Sequence, residues 1–290
     1  MQLHSIHTGN FKLDGGAMFG VVPKIIWNKL NPADENNLCD WALRCLLVIE
    51  GDRKILIDTG MGNKQDDKFM GHYHLSNTQN LEACLAKLAL GMDDITDVLL
   101  THLHFDHVGG AVSIKDHQLK VSFPNATYWV SEPQWETAQH PNRREKVSFL
   151  KENINPLLES GQLKIISLPP FQSKDSLQTI HFTKSISCIV VNGHTEGMLL
   201  PKIQYKDKTI VYMADLLPST GHIPLPYVMG YDMQPLLTLN EKDIFLQEAL
   251  KNNYQLFFEH DPLNECCSLE MTEKGIRAAK TFTLNELLLN

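Results

Sequence analysis

No run in this sequence approaches the length needed to cross a bilayer, and the opening residues Met1-Gln2-Leu3-His4-Ser5-Ile6-His7 have neither a basic nor an apolar leader region. A membrane partner is therefore not expected, and the protein is placed in the cytoplasm. Lysine and arginine are never dense enough to follow a phosphate backbone, and the net charge is −8. Nucleic acid is excluded as an expected partner on that ground. Cysteine is sparse: Cys39, Cys45, Cys84, Cys188, Cys266 and Cys267 are scattered, without C-x-x-C spacing. That leaves no cysteine zinc or redox pair and fits a reducing compartment, with Cys45, Cys84 and Cys188 reading as small buried side chains. Low-complexity tracts, repeats and blocks of like charge are also missing, which removes disorder and solenoid architectures.

What is present is the composition of an ordinary folded chain. Hydrophobic residues make up 43% and charged residues 21% of 290 positions, enough for a sizeable core in one large α/β layer fold. Residues 1–13 read as an opening strand. Ala42 to Glu50 and Lys54 to Asp58 read as a hairpin turning at Gly51-Asp52-Arg53. Leu81, Cys84, Leu85 and Leu88 fall at helical spacing behind an Asn80 cap, Glu132 to Gln139 and Arg144 to Leu158 read as helices, and Ala126 to Val130 as a strand. Leu163 to Leu168, Gln178 to Thr183 and Ile186 to Val191 read as strands of a second sheet. Leu199 to Tyr205 and Lys208 to Ala214 form another hairpin. A helix over Asn240 to Asn252 leads to a strand, Gln255 to Glu259, and then to a hairpin turning at Glu273-Lys274-Gly275. The chain is expected to be a single domain over 1–290, with pseudo-halves near 1–155 and 156–290.

The densest chemistry lies in Thr101-His102-Leu103-His104-Phe105-Asp106-His107, directly after the apolar run Asp97-Val98-Leu99-Leu100. Imidazole and carboxylate suit zinc and similar divalent ions. In a strand, positions i and i+2 share a face, so His102 and His104 can grip one ion. Asp106 and His107 lie past the strand, where the turning backbone can aim them at a second ion.

His-x-His-x-Asp-His resembles the metal motif of the metallo-β-lactamase superfamily, and the rest of that pattern is found in order. Asp58 in Ile57-Asp58-Thr59-Gly60 matches the early strand-end aspartate. His194 in Gly193-His194-Thr195 matches the third histidine, Asp215 in Met213-Ala214-Asp215 the bridging carboxylate, and His260 in Glu259-His260-Asp261 the last ligand. The resemblance implies an αββα sandwich, an α/β fold of two mixed sheets flanked by helices. It also implies two divalent ions, zinc first with manganese, iron or cobalt as alternatives. His102, His104 and His194 would hold one ion, Asp106, His107 and His260 the other, and Asp215 would bridge them. Asp58 would stand behind a ligand histidine and fix its tautomer.

A hydrolase follows from that resemblance, with Asp106 and Asp215 as catalytic carboxylates. His107 and Asp215 argue against the antibiotic-hydrolysing members, His104 argues against the diiron electron-transfer members, and the short stretch after His260 argues against a glutathione-thioesterase arrangement. The loop Asp14 to Lys24, the string Met213-Ala214-Asp215-Leu216-Leu217-Pro218 and the ending Glu259-His260-Asp261 look like the N-acyl-homoserine lactonases of the quorum-quenching branch. That branch implies attack of a metal-bound hydroxide on a lactone carbonyl. It also makes a homodimer one expected assembly. Such lactonases often place a tyrosine three positions after the bridging aspartate, where this chain has Pro218.

His222, Tyr227 and Tyr231 are candidates for the missing donor, with a packed or solvent-facing loop residue as the alternative for each. Met18 and Phe19, on the glycine-rich segment Asp14 to Lys24, read as a loop pinned to its own core or, by resemblance to the N-terminal loop of lactonases, as a flap over the site, and Trp135 as a pocket or packing residue. An organophosphate or aryl-ester hydrolase with an aromatic pocket around Phe19, Trp27 and Trp135 is the second reading. A non-catalytic metal-binding sensor or scaffold is the third.

Overall fold

The computed structural model describes residues 1–169 and 176–289. The chain forms two compact units that interleave along the sequence. One comprises Met1–Asn10 with Leu43–Pro169, the other Phe11–Ala42 with Pro170–Asn290.

The first unit is built on a mixed sheet. Its strands in chain order are β1 (Gln2–Asp14), β2 (Leu38–Glu50), β3 (Arg53–Ile57) and β4 (Asp97–Leu99), and, after the small hairpin β5 (Val112–Lys115) and β6 (Gln118–Val121), β7 (Thr127–Ser131) and β8 (Leu163–Ile166). The order across the sheet is β1-β2-β3-β4-β7-β8, and the division between units falls inside β1 and inside β2. β2 and β3 pair antiparallel, while β3, β4, β7 and β8 run parallel to one another. Parallel neighbours deliver their C-terminal ends to one edge of the sheet, the edge where open α/β sheets place chemistry. Asp58 follows β3 there, and His102 to His107 follow β4. Val98, Leu99 and Leu100 are fully buried, each a side chain whose burial contributes about 1.5–3 kcal/mol. Val98 and Leu100 join Leu56, Leu103, Val108, Tyr128 and Leu157 in the unit's core.

In the second unit β9 (Gln178–His181), β10 (Ile186–Val191), β11 (Met198–Tyr205), β12 (Lys208–Tyr212), β13 (Gln255–Phe257), β14 (Cys266–Thr272) and β15 (Gly275–Phe282) make a seven-stranded sheet ordered β15-β14-β13-β12-β11-β10-β9. β10 is antiparallel to β11, β11 antiparallel to β12, and β12 parallel to β13. β10, β12 and β13 therefore point the same way, so the segments carrying His194, Asp215 and His260 leave one edge of this sheet.

Several expectations are corrected. The run Leu163 to Leu168 is not part of the second sheet: β8 pairs in parallel with β7, reached through the helix Lys151–Glu159. That helix begins seven residues after Arg144, because the Asn142 side chain caps the backbone NH groups of Arg144 and Glu145 and holds this stretch as a turn. The helix expected over Asn240 to Asn252 is longer, Pro235–Lys251, with Pro235 suited to the first turn. The segment after Asp14 is not an open loop but two short helices, Gly15–Phe19 and Lys24–Trp27, the first capped by the Asp14 carboxylate accepting from the Ala17 NH. Among the described residues no helix is long and apolar enough to cross a membrane.

Candidate metal centre

In the first unit Asp58 sits at the end of β3 with φ of 56°, a left-handed conformation that only strong local bonding sustains in a non-glycine residue. That bonding is visible. One carboxylate oxygen accepts from the Thr101 NH at 2.8 Å, and the other accepts from the Thr101 hydroxyl at 2.6 Å and from His107 Nδ1 at 3.1 Å. Since the Thr101 proton points to Asp58, its oxygen is left to accept from His102 Nδ1 at 3.1 Å. One buried aspartate thus orients two histidine rings, each with Nε2 as the basic nitrogen.

His104 is held the other way round. Its Nε2 donates to Glu145 at 3.1 Å, leaving Nδ1 basic, and the second Glu145 oxygen accepts from the Asn142 side-chain amide at 3.0 Å. Glu145 is almost wholly buried, and no local pattern marks it: it lies forty-one positions from His104, in a stretch that reads as helix. The His107 turn is tied down as well, its carbonyl accepting from both the NH and the hydroxyl of Thr59 at 2.8 Å. Lys64 donates to the Gly109 carbonyl. A side chain at Gly109 would fall 1.9 Å from the Met61 carbonyl oxygen, so only glycine fits this crossing.

In the second unit Asp215 lies between two imidazoles, one oxygen 3.1 Å from His194 Nε2 and the other 3.2 Å from His260 Nε2. Ligands about 2.0–2.1 Å from a tetrahedral ion stand about 3.3 Å apart. Each carboxylate oxygen therefore stands at a distance from a different histidine nitrogen that suits two ligands of one ion. Ala214, just before it, has φ of 41° and turns the chain at that point. His260 Nδ1 donates to the Ala42 carbonyl at 2.8 Å, and His194 Nδ1 donates to Asp232 at 2.8 Å. Burial lowers the His194 pKa, but Asp215 and Asp232 on either side outweigh it and push it up to about 10.

The His194 turn is fixed from the helix Pro235–Lys251. Glu241 accepts from the NH groups of Asn192 and Gly193 at 2.7 and 2.9 Å, and its own burial pushes it up to about 7. Thr238 packs so closely on Gly193 that a Cβ there would meet it at 2.3 Å. Asp232 and Glu241 were missed by sequence reasoning because an acidic residue on a loop or helix reads as solvated.

All five histidines are buried, each with one ring nitrogen oriented by a group behind it, and Asp106 and Asp215 are buried as well. The seven candidate ligands all fall in groups of buried histidines and carboxylates close enough to hold a metal ion, and Asp58 and Glu259 fall in such groups too. The donor set, neutral imidazoles with carboxylates, fits divalent ions of the zinc, manganese, iron and cobalt range.

The residues expected to line a pocket are placed differently. Phe19 is fully buried and stacked between Trp27, at 5.4 Å and 3°, and His222, at 4.4 Å and 10°. Both nitrogens of the His222 ring are engaged, Nδ1 with the Ser219 hydroxyl and Nε2 with the Met18 carbonyl, each at 2.9 Å. Met18 is buried with them. Phe19, Trp27 and His222 therefore form an internal aromatic stack with Met18 buried beside it, not a flap, because Phe19 of the glycine-rich segment finds apolar partners from outside it. Trp135 packs against the first unit's core. Tyr227 is half-buried, edge-on to Phe19 at 6.5 Å, and Tyr231 is exposed. The loop carrying Tyr227 is anchored by the buried Lys242 ammonium, which donates to the Pro224 and Tyr227 carbonyls at 2.8 Å.

Comparison with known proteins places this arrangement. A family profile described as metallo-beta-lactamase superfamily matches residues 44–253. An N-acyl homoserine lactonase of Bacillus sp is 24% identical over 237 residues, covering 77% of this chain and 83% of its own. A solved structure named a probable metal-dependent hydrolase from Staphylococcus aureus superposes with a TM-score of 0.84 at 27% identity, over 97% of this chain and 98% of that one. AidC, described as a dizinc quorum-quenching lactonase with a product N-acyl-homoserine, does so with a TM-score of 0.77 at 22% identity, over 97% and 95%.

Proposed function

Because the chain belongs to the metallo-β-lactamase superfamily, with the mixed-sheet fold of its metal-dependent hydrolases, we propose that it is a dinuclear hydrolase that opens a lactone ring such as that of an N-acyl-homoserine lactone. The observation that carries this reading is the donor set itself. Five buried histidines have one nitrogen each engaged behind them, and one aspartate offers separate oxygens to His194 and His260. The likeness to lactonases of Bacillus and to AidC supports the choice of a lactone over other esters.

His102, His104 and His194 would hold one ion, Asp106, His107 and His260 the other, with Asp215 shared. Such ions acidify a water and polarise a carbonyl. The chain's own part is to place and hold protons. Asp58, directly on His107 and through Thr101 on His102, Glu145 on His104 and Asp232 on His194 hold four rings in fixed orientations, so the nitrogens facing the site need no rearrangement. Asp106, buried beside His107 at 3.8 Å, is placed to hold the proton taken from water and to pass it to the ring oxygen as the carbon–oxygen bond of the ester breaks. The product is a hydroxy acid.

Elemental analysis of the purified protein, paired with hydrolysis of a short-chain and a long-chain acyl-homoserine lactone by the same sample, tests the reading. Two metals per chain with ring opening is the expected result. Two metals with turnover only of aryl esters or phosphotriesters would replace the lactonase reading by the second hydrolase, and two metals with no turnover of any ester would leave a metal-binding scaffold.

A further inference from the structure

Apolar side chains scattered singly over a folded surface are ordinary, and a gathered set is not. In the second unit Val21, Ile25, Ile26 and Leu30 are all exposed within one short stretch. Val21 is 95% and Ile25 77% exposed, whereas Val22 and Trp27, interspersed with them, are buried. Trp27 stacks on the buried Phe19 with ring centroids 5.4 Å apart. The segment is therefore two-sided: its inner side chains hold it to the aromatic stack, and its outer ones meet water.

Two neighbouring segments of the same unit extend this face. The Gly230 NH donates to the Ala17 carbonyl at 2.8 Å, and a Cβ at Gly20 would meet the Val228 carbonyl oxygen at 2.7 Å, so the chain leading to the exposed Tyr231 lies against the start of the stretch. A Cβ at Gly221 would lie 3.4 Å from that of Leu30. Thr220, next to it, gives its NH and its hydroxyl to the buried Asp261 at 2.9 and 2.7 Å, which ties in the turn bearing the exposed Leu263. The charge pattern is as uneven as the apolar one. The chain carries a net −8 with 34 acidic residues, yet 15–33 and 216–231 contain no aspartate or glutamate, while Lys24 and Lys29 stand exposed beside Ile25 and Leu30. His222, in the second of these stretches, adds no charge, since burial pushes its pKa down to about 3.

We propose that this face rests on an anionic bilayer surface, with its apolar side chains entering the boundary between headgroups and acyl chains and with Lys24 and Lys29 meeting lipid phosphates. Such a contact lies on a membrane rather than across it, so it needs no spanning helix. Apolar and ammonium groups side by side suit that boundary, because a lysine stem lies along apolar matter while its charge reaches the phosphates. The alternative occupant is a second copy of this chain, and the charges count against it. Joined patch to patch about a two-fold axis, two copies would crowd their lysines together with no acid from either stretch to offset them. Joined patch to some other face, they would leave the same apolar set bare on the far copy. The inference holds whichever ester the metal centre opens.

The test is sedimentation of the whole protein, as purified, with vesicles of phosphatidylcholine and phosphatidylglycerol in equal parts and with vesicles of phosphatidylcholine alone. The expected result is binding to the anionic vesicles only, released by added salt. Ile25→Glu should abolish it, and Val21→Glu serves as a second variant of the same kind. Lys24→Gln and Lys29→Gln should each weaken binding roughly fivefold, the share of one lysine near an anionic surface. All four side chains are exposed, so the melting temperature should stay at the wild-type value in every variant. No binding to anionic vesicles at low salt, equal binding to neutral ones, or undiminished binding in Ile25→Glu would each overturn the proposal. Light scattering covers the alternative: a wild-type dimer that Ile25→Glu dissolves, with no vesicle binding, would give the face to a second copy instead.

Discussion

The two units supply their candidate ligands in opposite styles. In the first, His102, His104, Asp106 and His107 come from one strand end within six positions, and a single aspartate, Asp58, orients two of the rings. In the second, His194, Asp215 and His260 leave three different strands, and what aligns them is that β10, β12 and β13 point the same way. Contiguous ligands depend on a turn, and dispersed ligands depend on a sheet. A local substitution should therefore disturb the first set as a block and the second one residue at a time.

The sharpest way to break that comparison is to remove one ligand from each. His104→Ala and Asp215→Asn are both expected to lose metal, with activity falling on the order of 10³-fold, the several kcal/mol that a metal ion contributes to a hydrolytic transition state. Wild-type metal content in Asp215→Asn, read by elemental analysis, would sink its assignment as a shared ligand.

A smaller effect is expected one layer out. Glu145→Ala and Asp232→Ala each remove the acceptor behind a ligand ring, His104 in one unit and His194 in the other. Metal affinity should fall about 10- to 100-fold in each case, as measured by competition with a chelating dye. A silent Glu145→Ala beside a damaging Asp232→Ala would mean that the turn alone orients the first set.

Protons sharpen the contrast further. The metal-free pKa of His194 stands at about 10, above its ordinary 6.5, and its ring must lose that proton to bind a metal. Below pH 10 metal affinity is thus expected to rise about tenfold per pH unit from this group. The sign for stability is the reverse. A raised folded pKa means a contribution fully present below pH 6.5 and lost as pH rises through about 10. Thermal denaturation of chelator-treated protein across that window checks it, and a flat profile would argue that Asp215 and Asp232 do not act together on this ring.

The smallest expected change is in the packing of the second set. Gly193→Ala puts a methyl 2.3 Å from Thr238, an overpacking that should cost about 1–3 kcal/mol. A melting temperature equal to wild type would show that the helix Pro235–Lys251 can yield without moving His194.

How much of this was legible follows the same division. His102 to His107 could be picked out as candidates because the ligand spacing sits in six letters after an apolar strand, and Asp58, His194, Asp215 and His260 through the resemblance to the family's pattern. The groups behind them could not. Glu145, Asp232 and the Ala42 carbonyl meet their histidines across 41, 38 and 218 positions, separations that no local pattern encodes. The helix expected over Arg144 to Leu158 misled for a related reason: its periodicity holds from Lys151 onward, but Asn142 and His104 claim Glu145 for a turn. Met18 and Phe19 misled because a glycine-rich segment with apolar side chains is compatible with a flap and with an internal stack, and only the partners Trp27 and His222 decide between them.

Synthesis from the N-terminus delivers Phe11–Ala42 long before Pro170–Asn290, the other part of the same unit. At roughly 5–20 residues per second, the early segment waits on the order of ten seconds for its complement. His102 to His107 leave the ribosome in that interval, before His194, Asp215 and His260 have been made. A nascent chain therefore holds half of the candidate donor set before the other half exists, and the proposed centre, which draws on both halves, can be completed only after His260 has been made.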